Sequence, residues 1–76
     1  MTIKAKFFVS EKSQNYHQEG GRVIMLPVSA DSDENKSWSK WTPGGKIELW
    51  VTADGAFDAF ELGKSYYLTF EKEVDK

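Results

Sequence analysis

The 76-residue chain has no cysteine, so no disulfide and no thiolate zinc site can support its fold. It has a single histidine, His17, which excludes a histidine-rich metal centre. Only two prolines occur, and the chain is 39% hydrophobic and 14% aromatic, which argues against disorder. No apolar run approaches the ~20 residues that a membrane-spanning helix needs. The longest, Val23-Ile24-Met25-Leu26, is closed by Pro27. The first residues, Met1-Thr2-Ile3-Lys4-Ala5-Lys6, lack the apolar core of a signal peptide, so a cytosolic protein is expected. A basic excess is also missing. The formal net charge is −2, whereas domains that bind nucleic acid are usually basic.

The length fits one domain, residues 1–76, and leaves no room for a second. A chain this small buries only about 60–65% of its unfolded surface. Without disulfide or metal, tight aromatic packing or a partner subunit must supply the rest. Charge is unevenly spread. Residues 1–30 carry Lys4, Lys6, Lys12 and Arg22 against Glu11 and Glu19, while residues 51–76 carry three lysines against six acids. A mixed, solvated surface accounts for this, and a local basic face is the alternative.

Alternation with a period of two marks the strands. Residues 2–10 place Ile3, Ala5, Phe7 and Val9 on one side. Residues 11–21 are polar, end in Gly20-Gly21 and read as a loop or wide hairpin connection. Residues 22–28 form a second strand, with Pro27 at an edge, a bulge or the strand end. Ser32 or Asp33 can cap a single helical turn in the polar stretch that follows. Pro43-Gly44-Gly45 is a turn, and residues 46–52 alternate with Ile47, Leu49 and Val51 inward. Asp54 can cap a short helix over 55–60 that buries Phe57 and Phe60. Residues 65–71 form the last strand, with Tyr66, Leu68 and Phe70 on one face and Tyr67 on the other. The expected fold is all-β, or a β-rich α+β. It is a small antiparallel sheet or barrel of four to five strands with at most one short helix.

Catalysis is poorly served. His17 has no orienting partner at a recognisable spacing, and a surface histidine accounts for it. The glycine pairs do not form a phosphate-binding fingerprint. Asp31, Asp33 and Glu34 hint at a calcium loop but lack the glycine and distal glutamate it requires. No enzyme activity, metal or cofactor is expected. The informative segment is Asn35-Lys36-Ser37-Trp38-Ser39-Lys40-Trp41-Thr42-Pro43. Indole faces stack on planar rings and attract cations, and lysines hold phosphate oxygens. Such a strip suits a nucleotide or one nucleic-acid strand. In the alternative, Trp38 and Trp41 simply cover one end of the sheet.

That run, continued through Gly44-Gly45-Lys46-Ile47-Glu48-Leu49, resembles a stretch in a family of small proteins of tailed bacteriophages. In that family an acidic-Asn-Lys-Ser-aromatic turn precedes Lys-aromatic-Thr-Pro-Ser-Gly and a strand. The start, Lys4-Ala5-Lys6-Phe7-Phe8-Val9-Ser10-Glu11, is similar too, as are Leu26-Pro27-Val28 and the end from Phe60 to Phe70. Trp38, Trp41, Trp50 and Gly44 depart from the family pattern. The resemblance brings no catalytic residues with it. It implies a phage protein acting in the host cytoplasm, a setting in which small β-rich sponges sequester cyclic or modified nucleotides that serve as immune signals.

The leading expectation is therefore a non-enzymatic homo-oligomer that captures a nucleotide-like ligand and counters host defence. Trp38 or Trp41 would stack on the base. Lys36, Lys40 and Arg22 would meet phosphates, and Asn35 would read polar edges. The rivals are a direct protein inhibitor of a host enzyme and a single-strand nucleic-acid binder, the latter disfavoured by charge.

Overall fold

The computed structural model describes residues 2–17, 19–29 and 33–74. Ser32 and Asp31, invoked above as a cap and a ligand, lie outside them. Four antiparallel strands form a curled half-barrel sheet, with one short helix and one 3-10 turn. The strands are β1 (Ile3–Gln14), β2 (Gly21–Pro27), β3 (Ile47–Val51) and β4 (Ser65–Phe70), in the order β3-β2-β1-β4. The helix α1 (Ala56–Ala59) lies in the crossover from β3 to β4, and the 3-10 turn spans Asn35–Ser37.

One face of the sheet is apolar because the alternation is strict. Ala5, Phe7 and Val9 of β1 and Val23 and Met25 of β2 are buried on it. Register places Ile47, Leu49 and Val51 beside β2, and Tyr66, Leu68 and Phe70 beside β1, on the same inner face. Trp38, Phe57 and Phe60 cover this face from outside the sheet. Fully buried Val9 and Val23 each contribute about 1.5–3 kcal/mol relative to an exposed side chain.

The first strand is longer than its apolar pattern suggests, because its register shifts. Val9 pairs with Met25 but Glu11 pairs with Ile24, so Ser10 is an extra residue in a β-bulge. Beyond the bulge the phase inverts. Lys12 pairs with Val23 on the inner face. Its Nζ donates to the Phe57 carbonyl at 2.8 Å and sits 4.1 Å from the Phe57 ring centroid. A lysine in what reads as a polar loop is thus the staple that holds α1 onto the sheet. Asp54 does not cap that helix. Gly55 takes the position, with φ 77° and no side-chain hydrogen bond.

The hairpin between β1 and β2 closes at Asn15, whose N–H donates to the Gly20 carbonyl at 2.8 Å. Gly20 has φ 83°, and a Cβ there would collide with the Val51 carbonyl of β3. Both effects oppose any side chain. Gly20→Ala is expected to destabilise the fold by more than about 1 kcal/mol, whereas Gly44→Ala, with open space around it, stays near neutral. Urea unfolding followed by circular dichroism checks the pair.

Candidate functional site

β1 outruns β2. Pro27 ends β2, and one more ladder bond follows, from Val28 N–H to the Lys6 carbonyl at 3.0 Å. Past that point, among the described residues, the side of β1 that faced β2 has no strand beside it. The 3-10 turn fills the gap with side chains. Asn35 Oδ1 accepts from Lys6 N–H at 2.8 Å, and Asn35 Nδ2 donates to the Lys6 carbonyl at 2.9 Å. The same Nδ2 donates to the Val28 carbonyl at 2.8 Å. One side-chain amide therefore stands in for a residue of a neighbouring strand. The Ser37 hydroxyl continues the pattern, lying 3.0 Å from the Lys4 carbonyl and 2.7 Å from the Glu34 carbonyl.

Asn35 also positions Trp38. The indole Nε1–H donates to Asn35 Oδ1 at 2.9 Å. The ring lies nearly parallel to Phe7, with centroids 6.1 Å apart and planes 12° from each other. Trp38 and Phe7, with Ile3, Ala5 and Phe70, line an open apolar groove of about 280 Å³. Among the described residues no charged side chain lines it. Phe70 is 54% exposed at its rim, a large apolar area for the end of a strand.

The residues singled out in the sequence separate into three groups. Trp38, Lys36, Lys40 and Trp41 share the segment that crosses this end of the sheet. Trp41 is 80% exposed, and the Lys40 ammonium lies 5.2 Å from its ring centroid. Lys36 is exposed and paired with Asp33 at 3.5 Å. Asn35 lies beneath the segment, 2% exposed, with both amide atoms engaged. It is a support for the groove, and its amide is not presented to a ligand. Arg22 is elsewhere. Register puts it on the outer face opposite Ser13 and Trp50. There it pairs with Glu48 at 3.3 Å and Glu11 at 3.8 Å. It cannot join an inner-face groove.

His17 sits exposed in the hairpin loop, edge-on to Tyr16 with centroids 4.6 Å apart. Among the described residues no group of three His, Asp or Glu could hold a metal ion. The groove residues absent from the sequence-based site, Ile3, Ala5, Phe7 and Phe70, are there read as inward residues of strands. The signal for Phe70 is its place at the end of the last alternating segment, just before the polar tail. Comparison of the chain with models of protein families, with curated proteins and with solved structures finds no match.

Removing the Asn35 side chain takes away the partner of the Lys6 N–H, the Val28 carbonyl and the Trp38 indole N–H, while the Lys6 carbonyl keeps its bond from Val28 N–H. Asn35→Ala is expected to cost roughly 2–4 kcal/mol in denaturant unfolding, because each orphaned buried group costs about 1–3 kcal/mol. Lys36→Ala, which removes only an exposed ion pair, is expected to change stability by less than about 0.5 kcal/mol.

Proposed function

We propose that this chain is a non-enzymatic binding module that works as a homo-oligomer and holds the planar base of a nucleotide-like ligand against Trp38. The observation that carries the reading is the open groove walled by Trp38 and Phe7, with the exposed Trp41–Lys40 pair on the same segment. An apolar slot of this size accommodates one planar ring and little more. Its uncharged lining favours the base over the phosphates. Phosphate oxygens would meet the exposed Lys36 and Lys40 on the same segment as Trp38. Arg22 and Asn35 have no part in this site.

The resemblance to small proteins of tailed bacteriophages supplies the biological setting. In that setting the ligand is an immune signal of the host, and sequestration in the host cytoplasm counters defence. A direct inhibitor of a host protein is the second reading. Trp50 and Tyr67 favour it, since both rings stand on the outer face, 67% and 60% exposed. Single-strand nucleic acid is the weakest ligand, because the net charge is −2.

Calorimetric titration with cyclic mono- and dinucleotides and cyclic ADP-ribose isomers tests the reading. Saturable heat is expected with at least one of them. Trp41→Ala, which removes the exposed ring beside Lys40 and leaves the Trp38 stacking surface intact, is expected to weaken binding by only about two- to threefold, less than the ~1–3 kcal/mol of a lost base stack, without lowering stability. A folded protein that gives no heat with any member of the panel contradicts the nucleotide assignment.

A further inference from the structure

Four strands curl into a half-barrel whose two outer strands, β3 and β4, each have one side without a neighbouring strand among the described residues. The molecule measures 41 × 39 × 16 Å, and its radius of gyration is 14.2 Å. A compact chain of this length has a radius of gyration of about 11 Å. The thin dimension leaves much of the inner face with a single layer of cover. Proteins protect such edges with charges, prolines, bulges or covering loops. The two edges differ in this respect. β3 carries Glu48, which is tied to Arg22. β4, Ser65-Tyr66-Tyr67-Leu68-Thr69-Phe70, carries no charge, no proline and no glycine, and its register with β1 has no bulge.

The backbone of β4 shows which groups are free. Val28 N–H and Asn35 both bond to Lys6, so Lys6 faces β2 and its turn. Val9 N–H donates to Lys64 O, so the odd residues of β1 face the β4 side. Ile3, Ala5 and Phe7 therefore exchange hydrogen bonds with Phe70, Leu68 and Tyr66. Ser65, Tyr67 and Thr69 turn their N–H and C=O groups outward, where among the described residues no backbone or side-chain partner meets them.

We propose that β4 pairs with β4 of a second copy of this chain about a two-fold axis, joining two half-barrels into one eight-stranded sheet. The register that fits sets Leu68 opposite Leu68 of the second copy at the axis. Tyr67 then faces Thr69 of that copy, and each such pair exchanges two hydrogen bonds. All inner-face contacts across the seam are apolar, Phe70 lying beside the second copy's Tyr66. Shifting the register to oppose the two Tyr67 residues would instead bring together their lysines. Lys4 and Lys6 lie 4.5 and 5.8 Å from the Tyr67 ring centroid, so that register gathers like charges. The flanks are mixed in charge and do not select the register: Glu61 and Lys64 precede the strand, and Glu71, Lys72 and Glu73 follow it. The seam borders the groove at Phe70, so the second copy narrows its mouth. The inference gives form to the homo-oligomer proposed above and rests on that part of the reading alone.

Light scattering coupled to size exclusion, with amide exchange by NMR, tests it on the full chain. The expected mass is twice the 8.7 kDa of one chain. The Tyr67 and Thr69 amides are expected to exchange at least about tenfold more slowly than edge amides of a monomer. Thr69→Pro removes an outward N–H at an edge that tolerates proline, and it is expected to yield a folded monomer. Thr69→Val is expected to stay dimeric. If Thr69→Pro fails to fold, the wild-type exchange rates decide. A monomer even at millimolar concentration overturns the proposal. So does an oligomer in which Tyr67 and Thr69 exchange freely, as a β3-edge contact would give. Ligand titration is read separately, so a monomer that binds nucleotide would fault the seam and spare the groove.

Discussion

The fold depends on how the exposed backbone of β1 is satisfied after β2 stops. β1 is one of the two inner strands, and its residues 3–6 have β4 on one side and, among the described residues, no strand on the other. Buried backbone groups without partners are costly, so something must take the place of the missing strand. Asn35 does so with one side-chain amide, bonding both backbone groups of Lys6 and the carbonyl of Val28. The same oxygen holds the Trp38 indole. A single residue thereby ties the long β2–β3 connection to the sheet and sets the angle of the groove wall.

A second constraint comes from the bulge at Ser10. It adds one residue to β1 and exchanges the faces of everything that follows. Lys12 thereby becomes an inner-face residue and fastens α1 through the Phe57 carbonyl. The crossover that returns the chain from one edge strand to the other is held by this contact and by Tyr66. The Tyr66 hydroxyl donates to Ala59 O at 2.9 Å and accepts from Glu61 N–H at 2.8 Å. The two ends of the inner face are thus covered by different means, α1 at one and Trp38 at the other. Between Trp38 and the β4 edge the cover is incomplete, and there the groove opens.

The strands and their inward faces are legible in the sequence because period-two alternation reports burial directly. Ile47, Leu49 and Val51, and Tyr66, Leu68 and Phe70, sit where that pattern puts them. The extension of β1 to Gln14 is not legible, since the bulge breaks the phase and the added residues are polar. The site is half legible. Trp38, Trp41, Lys36 and Lys40 share one surface segment, as their spacing suggests. Asn35 has the side chain of a ligand reader, but its role is set by the end of β2, a partner far away in sequence. Arg22 and Trp38 are assigned to one site by residue type alone. The register of β2 places Arg22 on the outer face, opposite the groove.

Binding through the groove requires that Trp38 be held against Phe7 while Trp41 stands free. The three tryptophans give three separate indole N–H signals, so hydrogen exchange followed by NMR reads this arrangement in solution. The Trp38 indole N–H, bonded to Asn35, is expected to exchange markedly more slowly than those of Trp41 and Trp50, which stand in solvent. A Trp38 signal that exchanges as fast as the other two would mean that the Asn35 clamp does not hold and that the groove is not a formed site.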